Sequence, residues 1–496
     1  MTRLTRALLG AIVLAAAAPG AAQAATITVH DSKSQQPHAF SFDALPGETN
    51  NVRVTENSDG STVVSDVVPM RIVGESSLQG CRLSTDARLA TCAPNADPVD
   101  FELGDGNDVI RYEASESMAF PFSTSGLQGG AGNDTFHLGI RNEAVGVLEI
   151  FGGAGTADKA TYASSDGGVN VSLDGVGNDG HVLDRNNVGT DVEVVEGSSR
   201  TDVITGSDAD HREILIGGNG NDRLTGLGGT DVFVEGAAPS GSDTIAGGGG
   251  IDLVDYSQRS KRVEVHMEDL TRNDGEIGEL DFIDPNTNDA FGGSAGDVLT
   301  GGAGRNVFIG NGGGDALDGN GGDDELVGGA GGDFLAGGTE NDLINANDNE
   351  ADTIRCESGA DDRLIADLKD DDAIGCETVQ LVGELALAAK GAKLRLSWTH
   401  PVSWKQLRHV TVRIKDGRKV AGKVVIRPRV EKIAASGQVE IARSRLTHKG
   451  GKVTARLKLR YDAALAGKRL KADVVAADFH GAKQVERNAA ILKVAR

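Results

Sequence analysis

A nine-residue repeat runs without interruption from Gly292 to Asn345 and limits the possible folds more than any other feature of the chain. Each copy begins with glycine-rich residues, has an acidic residue or Asn at place six, and has an apolar residue at place eight. Self-similarity at a fixed period is typical of solenoids, in which each repeat packs only against its neighbours. The sixth places are Asp297, Asn306, Asp315, Asp324, Asp333 and Asp342, and the eighth places are Leu299, Phe308, Leu317, Leu326, Leu335 and Ile344.

The composition of one repeat predicts its local structure. Glycine supplies the positive φ angles of a tight turn, and the three residues after the turn suit a short strand with its middle side chain facing inward. Stacked turns of this kind give parallel strands, a thin apolar core and columns of carboxylates. Such columns repel unless a cation lies between them, and carboxylate and carbonyl oxygens favour Ca²⁺ over soft metals.

These blocks resemble the RTX, or hemolysin-type, calcium-binding nonapeptide G-G-x-G-x-D-x-U-x. Further copies begin at Gly129, Gly217, Gly226 and Gly247, and a partial copy begins at Leu103. In that family the Asp side chain and the turn carbonyls of neighbouring coils share each Ca²⁺. Carried over to this chain, the resemblance implies the calcium ligands Asp108, Asp134, Asp202, Asp222, Asp231, Asp243, Asp252, Asp297, Asp315, Asp324, Asp333 and Asp342.

Two positions depart from the pattern, Asn306 and Glu213, and the sites beside them are expected to be weak or absent. Flexible Gly/Asp-rich loops are the alternative interpretation, but linkers lack an apolar residue at every ninth position. Without metal the repeats are predicted to be disordered, because glycine entropy and carboxylate repulsion both oppose folding.

Two longer modules, residues 161–180 and 255–275, interrupt the repeats and resemble each other, with Tyr162 aligned to Tyr256. Each contains an alternating run that predicts a wider strand. The acidic loop 274–289 after the second run is either a further Ca²⁺ site or a solvated insertion. This interrupted pattern is more similar to exported actinobacterial-type calcium-binding repeat proteins than to the toxins of the family.

Residues 1–24 have the charged start, apolar stretch and A-x-A site of a secretory signal peptide. The apolar stretch is too short to span a membrane, and no later run reaches about 18 apolar residues. We therefore expect a secreted, extracellular protein without a transmembrane segment, with association at the cell surface as a further expectation.

The four cysteines form two local pairs, Cys81 with Cys92 and Cys356 with Cys376. In an exported protein, even and local pairs predict disulfides. Zinc binding is the competing interpretation, but it requires convergent Cys or His ligands, and the sequence has no CxxC motif or His cluster.

Charge divides the chain into two parts with different character. Residues 385–496 contain 27 Lys and Arg against 7 Asp and Glu, whereas residues 1–384 contain 22 against 66. Alternating runs in the basic part predict about seven strands and an immunoglobulin-like β-sandwich. The predicted fold is thus all-β: a signal peptide (1–24), a β-rich cap (25–100), a parallel β-roll with two inserted modules (101–384) and the sandwich (385–496).

The basic part has three open interpretations: it binds an anionic cell-envelope polymer or acidic polysaccharide, it docks on the acidic roll, or it is simply a soluble basic face. Nucleic acid is an unlikely partner, because few aromatic residues are present to stack on bases. Trp398 and Trp404 suit a sugar-binding platform, although core packing for the first and partial burial for the second are favoured.

No catalytic motif is convincing. Ser294 lies in a formal G-x-S-x-G, but that segment is inside the repeat register and lacks the strand and helix of a nucleophile elbow. Asp323 with Asp324, or the run 370–372, imitates a glycosidase pair, although repeat ligands and an acidic cap explain both. The sequence predicts a calcium-binding structural or interaction protein whose repeats fold on binding extracellular calcium. The alternative is a β-helix polysaccharide-active enzyme, either a lyase or a hydrolase.

Overall fold

The structure is a computed structural model. It describes residues 25–30, 39–57, 59, 61–73, 81–92, 97–113, 124–138, 147–182, 184–366, 370–376, 378–380, 383–390, 393–399, 409–417, 419–427, 432–449, 452–477 and 483–494. The predicted signal peptide and Trp404 lie outside these residues.

The N-terminal residues form strands that lead directly into the repeats. They are β1 Ala25–His30, β2 Ala39–Asp43, β3 Asn51–Glu56, β4 Thr62–Ser65, β5 Met70–Val73, β6 Cys81–Leu83, β7 Leu89–Cys92 and β8 Asp97–Glu102. Strands β6 and β7 form a hairpin in which Cys81 faces Cys92, and the two are joined by a disulfide. Strand β2 pairs in parallel with β8, so the N-terminal strands continue one side of the roll.

The repeat region consists of many short strands joined by turns. They are β9 Val109–Glu113, β10 Thr124–Ala131, β11 Thr135–His137, β12 Val147–Ala154, β13 Lys159–Thr161, β14 Val169–Ser172, β15 Gly180–His181, β16 Asn186–Val188, β17 Val194–Glu196, β18 Val203–Thr205, β19 Ile214–Ile216, β20 Arg223–Gly229, β21 Val232–Val234, β22 Thr244–Gly250, β23 Leu253–Asp255, β24 Val263–His266, β25 Gly275–Glu276, β26 Phe282–Ile283, β27 Asp289–Phe291, β28 Val298–Thr300, β29 Val307–Ile309, β30 Ala316–Asp318, β31 Glu325–Val327, β32 Phe334–Ala336, β33 Leu343–Ala346, β34 Thr353–Arg355, β35 Arg363–Ala366, β36 Asp371–Ile374 and β37 Thr378–Gln380.

One side of the roll is a single parallel ladder, here called the long ladder. It runs through β3, β9, β11, β13, β17, β19, β21, β23, β27, β29, β31, β33, β35 and β37, each strand paired with the next. In the continuous repeats, neighbours on this ladder are 18 residues apart, as in Phe308 facing Leu326. One coil therefore comprises two nonapeptides.

The second side of the roll is divided into three sheets. The first contains β5, β1, β2, β8, β10, β12 and β16, the second contains β15, β14, β18, β20, β22 and β26, and the third contains β25, β24, β28, β30, β32, β34 and β36. The chain alternates between these sheets and the long ladder, so every coil contributes to both sides.

The two inserted modules cause the breaks between these sheets. In the first module β14 begins the second sheet and β16 returns to the first. In the second module β24 begins the third sheet and β26 returns to the second. Tyr162 and Tyr256 are both fully buried at equivalent places, which agrees with the alignment of the two modules. The repetition in the sequence is therefore a repetition of one three-dimensional junction.

The core of the roll is thin, because each short strand contributes few inward side chains. In most three-residue strands of the continuous repeats the middle side chain is buried and its neighbours are partly exposed, as Leu299, Leu317 and Leu326 show. The eighth-place residues of the continuous run are all 0% exposed. This is the period of two that a strand requires, applied once per nonapeptide.

The last residues form two antiparallel sheets. Their strands are β38 Gly383–Lys390, β39 Lys393–Thr399, β40 His409–Asp416, β41 Lys419–Arg427, β42 Lys432–Gly437, β43 Val439–Lys449, β44 Lys452–Tyr461, β45 Arg469–Ala477 and β46 Lys483–Lys493, with a 3-10 turn at Ala463–Leu465. One sheet has the order β38-β39-β44-β43 and the other β42-β41-β40-β45-β46. Nine strands replace the predicted seven, because the Ala-rich β38 and β42 lack a clear alternation.

The predicted all-β fold, with a parallel roll followed by a small sandwich, is confirmed. The immunoglobulin-like connectivity stays a prediction. Trp398 is fully buried in the sandwich core, so it is not part of an exposed sugar platform. The second predicted disulfide, Cys356–Cys376, is present at the C-terminal end of the roll. In the part of the chain that the structure describes, no helix has the length and apolarity needed to cross a membrane.

Candidate metal centre

All twelve aspartates predicted as ligands lie at the turn that precedes a strand, and each is at most 3% exposed. They form columns along the roll because successive coils stack in register, about 4.8 Å apart. Asp108, Asp134, Asp231, Asp252, Asp324 and Asp342 precede strands of the long ladder, and Asp202, Asp222, Asp243, Asp297, Asp315 and Asp333 precede strands of the second side.

One oxygen of each carboxylate is used to join neighbouring coils. The backbone amide of Asp297 donates to Oδ1 of Asp315 at 2.8 Å, and the amide of Asp315 donates to Oδ1 of Asp333 at 2.8 Å. The same bond joins Asn306 to Asp324 and continues from Asp324 to Asp342. Each sixth-place residue thus satisfies a backbone donor of the coil before it.

The other oxygen of most of these carboxylates is buried and has no hydrogen-bond partner. This applies to Oδ2 of nine of the predicted aspartates, Asp108, Asp134, Asp222, Asp231, Asp252, Asp315, Asp324, Asp333 and Asp342, and also to Oδ2 of Asp158 and Asp352. A buried carboxylate oxygen without a partner is costly, and such groups normally bind a donor or a cation. The recurrence of the same unsatisfied atom in coil after coil indicates a repeated site.

Several of these unsatisfied oxygens lie beside a glycine turn that brings a carbonyl close. A Cβ atom on Gly310 would lie 2.5 Å from the carbonyl oxygen of Gly328 and closer still to Oδ2 of Asp315. Gly319 has the same relation to Asp324 and to the next coil. The first glycine of the repeat is required here because it leaves room where oxygens of two coils converge. Hard oxygens from a carboxylate and a carbonyl are the donor set of Ca²⁺.

The electrostatics of the columns agree with a missing counter-charge. Burial raises the pKa of Asp315 and Asp324 to about 7, and the adjacent carboxylates of Asp333 and Asp342 add to the rise. Burial likewise raises the pKa of Asp134 to about 6. A cation in contact with these groups would favour their charged forms and reverse the shift.

Three predicted residues differ because local donors satisfy both of their oxygens. Oδ2 of Asp202 accepts from the amide of Ser198 at 2.6 Å, and Oδ2 of Asp297 accepts from the amide of Gly293 at 2.6 Å. Oδ2 of Asp243 accepts a longer bond of 3.3 Å from Ser240. Each of these three begins or lies near a sheet boundary, where the regular coil is interrupted.

Glu213 and Asn306, the two residues that depart from the repeat pattern, lie in the columns but do not present a free carboxylate oxygen to the turn. Glu213 is fully buried and accepts from the amide and hydroxyl of Ser207. The side-chain amide of Asn306 donates to the carbonyl of Asn288. Neither residue presents an unsatisfied carboxylate oxygen to the turn.

Sequence reasoning missed Asp158, which has the same geometry as the predicted ligands. It lies in GGAGTADKA at place seven, because one extra residue lengthens the turn. The amide of Asp134 donates to its Oδ1 at 2.7 Å, and its Oδ2 is buried without a partner. A search that allowed one inserted residue would have found it. Asp352 extends the column of Asp333 on the second side, at the end of the regular repeats.

Most acidic residues of the second module's loop are buried, and Asp274 is not arranged like the aspartates of the repeat turns. Asp274 is buried, and its two oxygens accept from the amides of His266 at 2.8 Å and Ile283 at 3.0 Å. It therefore fastens β24 to β26. Asp179 does the same in the first module, where it accepts from Ser172 and Val188.

The second module also contains a buried carboxylate cluster of Glu235, Glu279 and Asp281, whose oxygens lie within 4.8 Å of one another. Among the described residues it is the one group of at least three such side chains. Burial raises the pKa of Glu235 to about 7 and that of Asp281 to about 8. The cluster already contains a cation, because Nη2 of Arg259 lies 3.3 Å from Glu235 and 2.9 Å from Glu279.

The family model of the RTX calcium-binding nonapeptide repeat matches the chain in four segments, residues 127–140, 209–234, 291–326 and 327–361. These segments contain Asp134, Asp222, Asp231, Asp297, Asp315, Asp324, Asp333 and Asp342. The chain therefore carries hemolysin-type repeats, which are calcium-binding repeats. Comparison with curated proteins gave no match. Asp108, Asp202, Asp243 and Asp252 lie outside the matched segments but in the same columns.

Proposed function

We propose that the protein is a secreted calcium-binding protein with a structural or interaction role. The observation that carries this proposal is the column of buried aspartates whose Oδ2 atoms lack partners beside the turn carbonyls of adjacent coils. The proposed ligands are the predicted aspartates with Asp158 and Asp352 added, together with turn carbonyls. Calcium would supply the positive charge that the columns lack.

Calcium binding would be coupled to folding. The oxygens of one site come from different coils, so an unfolded chain cannot present them together. A ligand that binds only the folded state stabilises it by RT ln(1 + [Ca²⁺]/Kd) at each site. Many weak sites therefore add up to a large effect. Low calcium inside the cell would keep the chain unfolded for export, and external calcium would fold it.

A calcium titration of the full chain tests the proposal. The protein is freed of metal with a chelator and followed by far-UV circular dichroism as Ca²⁺, or Mg²⁺ as control, is added. We expect a cooperative gain of β signal with Ca²⁺ alone. A β spectrum that is the same in chelator and in Ca²⁺ would refute calcium-coupled folding.

Matched variants locate the sites. Asp324→Asn removes a carboxylate from a column, whereas Asp361→Asn removes one exposed carboxylate from the same region. Asp324→Asn should lower the number of Ca²⁺ ions bound in calorimetry and move the folding transition to higher Ca²⁺. Asp361→Asn should change neither. Equal behaviour of the two variants would reject the assignment of Asp324.

The burial of the aspartates favours a structural role over the polysaccharide-active enzyme. A polymer substrate cannot reach side chains that are at most 3% exposed. Activity of the purified protein on pectate or alginate would overturn this choice.

Export and attachment complete the proposal. Two disulfides suit an oxidising compartment, and residues 1–24 have the pattern of a signal peptide. The roll would be attached to an anionic polymer of the cell envelope or matrix by the basic C-terminal sandwich.

A further inference from the structure

The outer face of the sheet β38-β39-β44-β43 carries two rows of basic side chains that run across the strands. In one row Arg395 faces Arg456, which faces Arg445. In the next row the neighbours are Lys390, Lys393, Lys458 and Arg443. These seven side chains are here called the basic face.

The basic face is exposed and lacks acidic partners. All seven residues are exposed, and none takes part in an ion pair among the described side chains. The ion pairs seen in the described part of the sandwich, Lys415 with Asp473 and Lys468 with Asp416, involve the other sheet. Like charges at facing positions destabilise a sheet. Stability of the sandwich therefore does not account for this arrangement, whereas binding of an anion does.

The face also has the shape of a binding surface. The basic residues line a depression with a volume of about 550 Å³. Its edge strand contributes Ala388 beside Arg395, and this small side chain leaves the row of arginines accessible from the side. Adjacent strands are about 4.8 Å apart, so cationic groups recur at short, regular intervals across the sheet.

We infer that the basic face binds a linear acidic polysaccharide with a carboxylate on each sugar, lying across the strands along the two rows. This inference rests on the attachment role proposed above and identifies the surface and the ligand. Guanidinium groups form paired hydrogen bonds to carboxylates, and a row of three arginines offers this geometry to successive anionic groups of one polymer.

The composition of the face favours a sugar polymer over other polyanions. The aromatic residues of the described part of this sheet are Trp398, which is buried, and Tyr461, which packs against the core. Among the described residues of this sheet, no aromatic ring is thus placed to stack on nucleic acid bases. The exposed large apolar residues of the described sandwich, Val420 and Ile491, lie on the other sheet. The face therefore has no apolar group to insert into a bilayer.

The next row of the outer face carries Ser397 opposite Thr454, and Thr454 opposite Thr447. Thr454 is buried, whereas the half-buried Ser397 and Thr447 place hydroxyl groups beside the guanidinium row, which suits the mixture of hydroxyls and carboxylates on an acidic sugar.

Two triple variants of the full chain, each losing three positive charges, test the inference. The first is Arg395→Gln/Arg445→Gln/Arg456→Gln on the basic face. The control is Lys423→Gln/Arg427→Gln/Lys432→Gln, at exposed positions on the other sheet. Binding of short oligogalacturonate in Ca²⁺-containing buffer is measured by calorimetry, with DNA and anionic vesicles as further probes. The Ca²⁺-dependent dichroism of every protein is recorded in parallel.

The wild type should bind oligogalacturonate, and the face variant should bind at least about tenfold more weakly because paired charge-assisted hydrogen bonds are lost. The control should stay within about twofold, since it loses only long-range attraction. Equal weakening by both variants, absence of wild-type binding, or preference for DNA or vesicles would overturn the inference. A normal Ca²⁺ response with no oligogalacturonate binding would reject this inference alone, whereas an absent Ca²⁺ response would reject the proposed function of the roll.

Discussion

The Nη2 atom of Arg259 lies 2.9 Å from Oε1 of Glu279, and both side chains are buried in the second inserted module. The equivalent residues of the first module are Ser165 and Asp184, because they make the same backbone turns. The second module has thus acquired an internal cation, while the repeats around it present carboxylates with no positive partner. Buried Arg259 neutralises one part of the roll permanently, without metal.

Removing this cation should destabilise the protein strongly. Arg259→Met leaves Glu235 and Glu279 buried without a counter-charge, and losing one partner of a buried pair costs about 3–5 kcal/mol. The free energy of unfolding, measured by urea titration in Ca²⁺, should fall by that amount. Adding Glu279→Gln to Arg259→Met should restore part of the loss, because one of the unpaired charges is removed.

The control for this prediction is Arg262→Met. Arg262 forms an exposed pair with Glu264 at 3.0 Å, and exposed pairs contribute about 0–1 kcal/mol. If both substitutions cost the same, the guanidinium of Arg259 is not the neutralising group.

Gly310→Ala should damage a coil that Gly304→Ala leaves intact. A Cβ at Gly310 collides with the oxygens of Asp315 and Gly328, whereas a Cβ at Gly304 meets nothing within 4 Å. Overpacking of this kind costs about 1–3 kcal/mol. Gly310→Ala should also lower the number of Ca²⁺ ions bound, which calorimetry measures. Full Ca²⁺ binding by Gly310→Ala would show that the turn does not need its glycine.

Stability of the metal-free protein should fall as pH rises. The pKa of Asp315 and Asp324 is raised from 3.8 to about 7 by burial, so the folded state binds protons more tightly than the unfolded state. The stabilisation is complete below about pH 4 and is lost as pH rises to about 7. In chelator, the residual β signal in far-UV circular dichroism should therefore be larger at pH 5 than at pH 8.

Saturating Ca²⁺ should change this dependence. Metal binding requires ionised carboxylates, so protons compete with Ca²⁺ and its affinity should fall as pH drops below about 7. Asp315→Asn should weaken the pH dependence in chelator. A metal-free protein that is more stable at pH 8 than at pH 5 would contradict both the burial and the charge of the columns.

The disulfide at the end of the roll should contribute to stability through the unfolded chain. Cys356 and Cys376 are separated by 20 residues, and closing a loop of this size stabilises by about 3 kcal/mol in the chain-entropy model. Cys356→Ser/Cys376→Ser should lower the free energy of unfolding by that amount, measured in Ca²⁺. If the double variant is as stable as the wild type, packing alone holds the last coil closed, and the disulfide adds no stability.

The regular part of the fold was predictable because the repeat fixes two positions at once. Glycines at the start of each block demand a turn, and the residue at place eight must be buried. Strands such as Val298–Thr300 and Phe334–Ala336 accordingly fall on places seven to nine. The columns of aspartates followed from stacking these blocks, and their burial agrees with that derivation.

The irregular features depend on contacts that a linear pattern does not record. Asp158 joined its column despite a shifted place, because backbone pairing with Asp134 realigned the coil. Asp274 appeared to be a solvated or metal-binding acid, yet the return of β26 to the second sheet gave it two amide donors. The sequence did not predict the role of Arg259, because its partners are distant in sequence.

The bonds that the backbone amides of the column aspartates donate to carboxylates of neighbouring coils all point in one direction, and this gives the columns a polarity. Among the described residues, the amide of each predicted column aspartate finds its side-chain acceptor in the coil that follows in the chain, as Asp297 to Asp315 and Asp315 to Asp333 show. The two ends of the roll are therefore chemically different. A break on the N-terminal side leaves spare acceptors, which water or cations can satisfy, whereas a break on the C-terminal side strands buried donors. During synthesis or export from the N-terminus, the aspartate amides of each coil therefore lack acceptors until the next coil has folded.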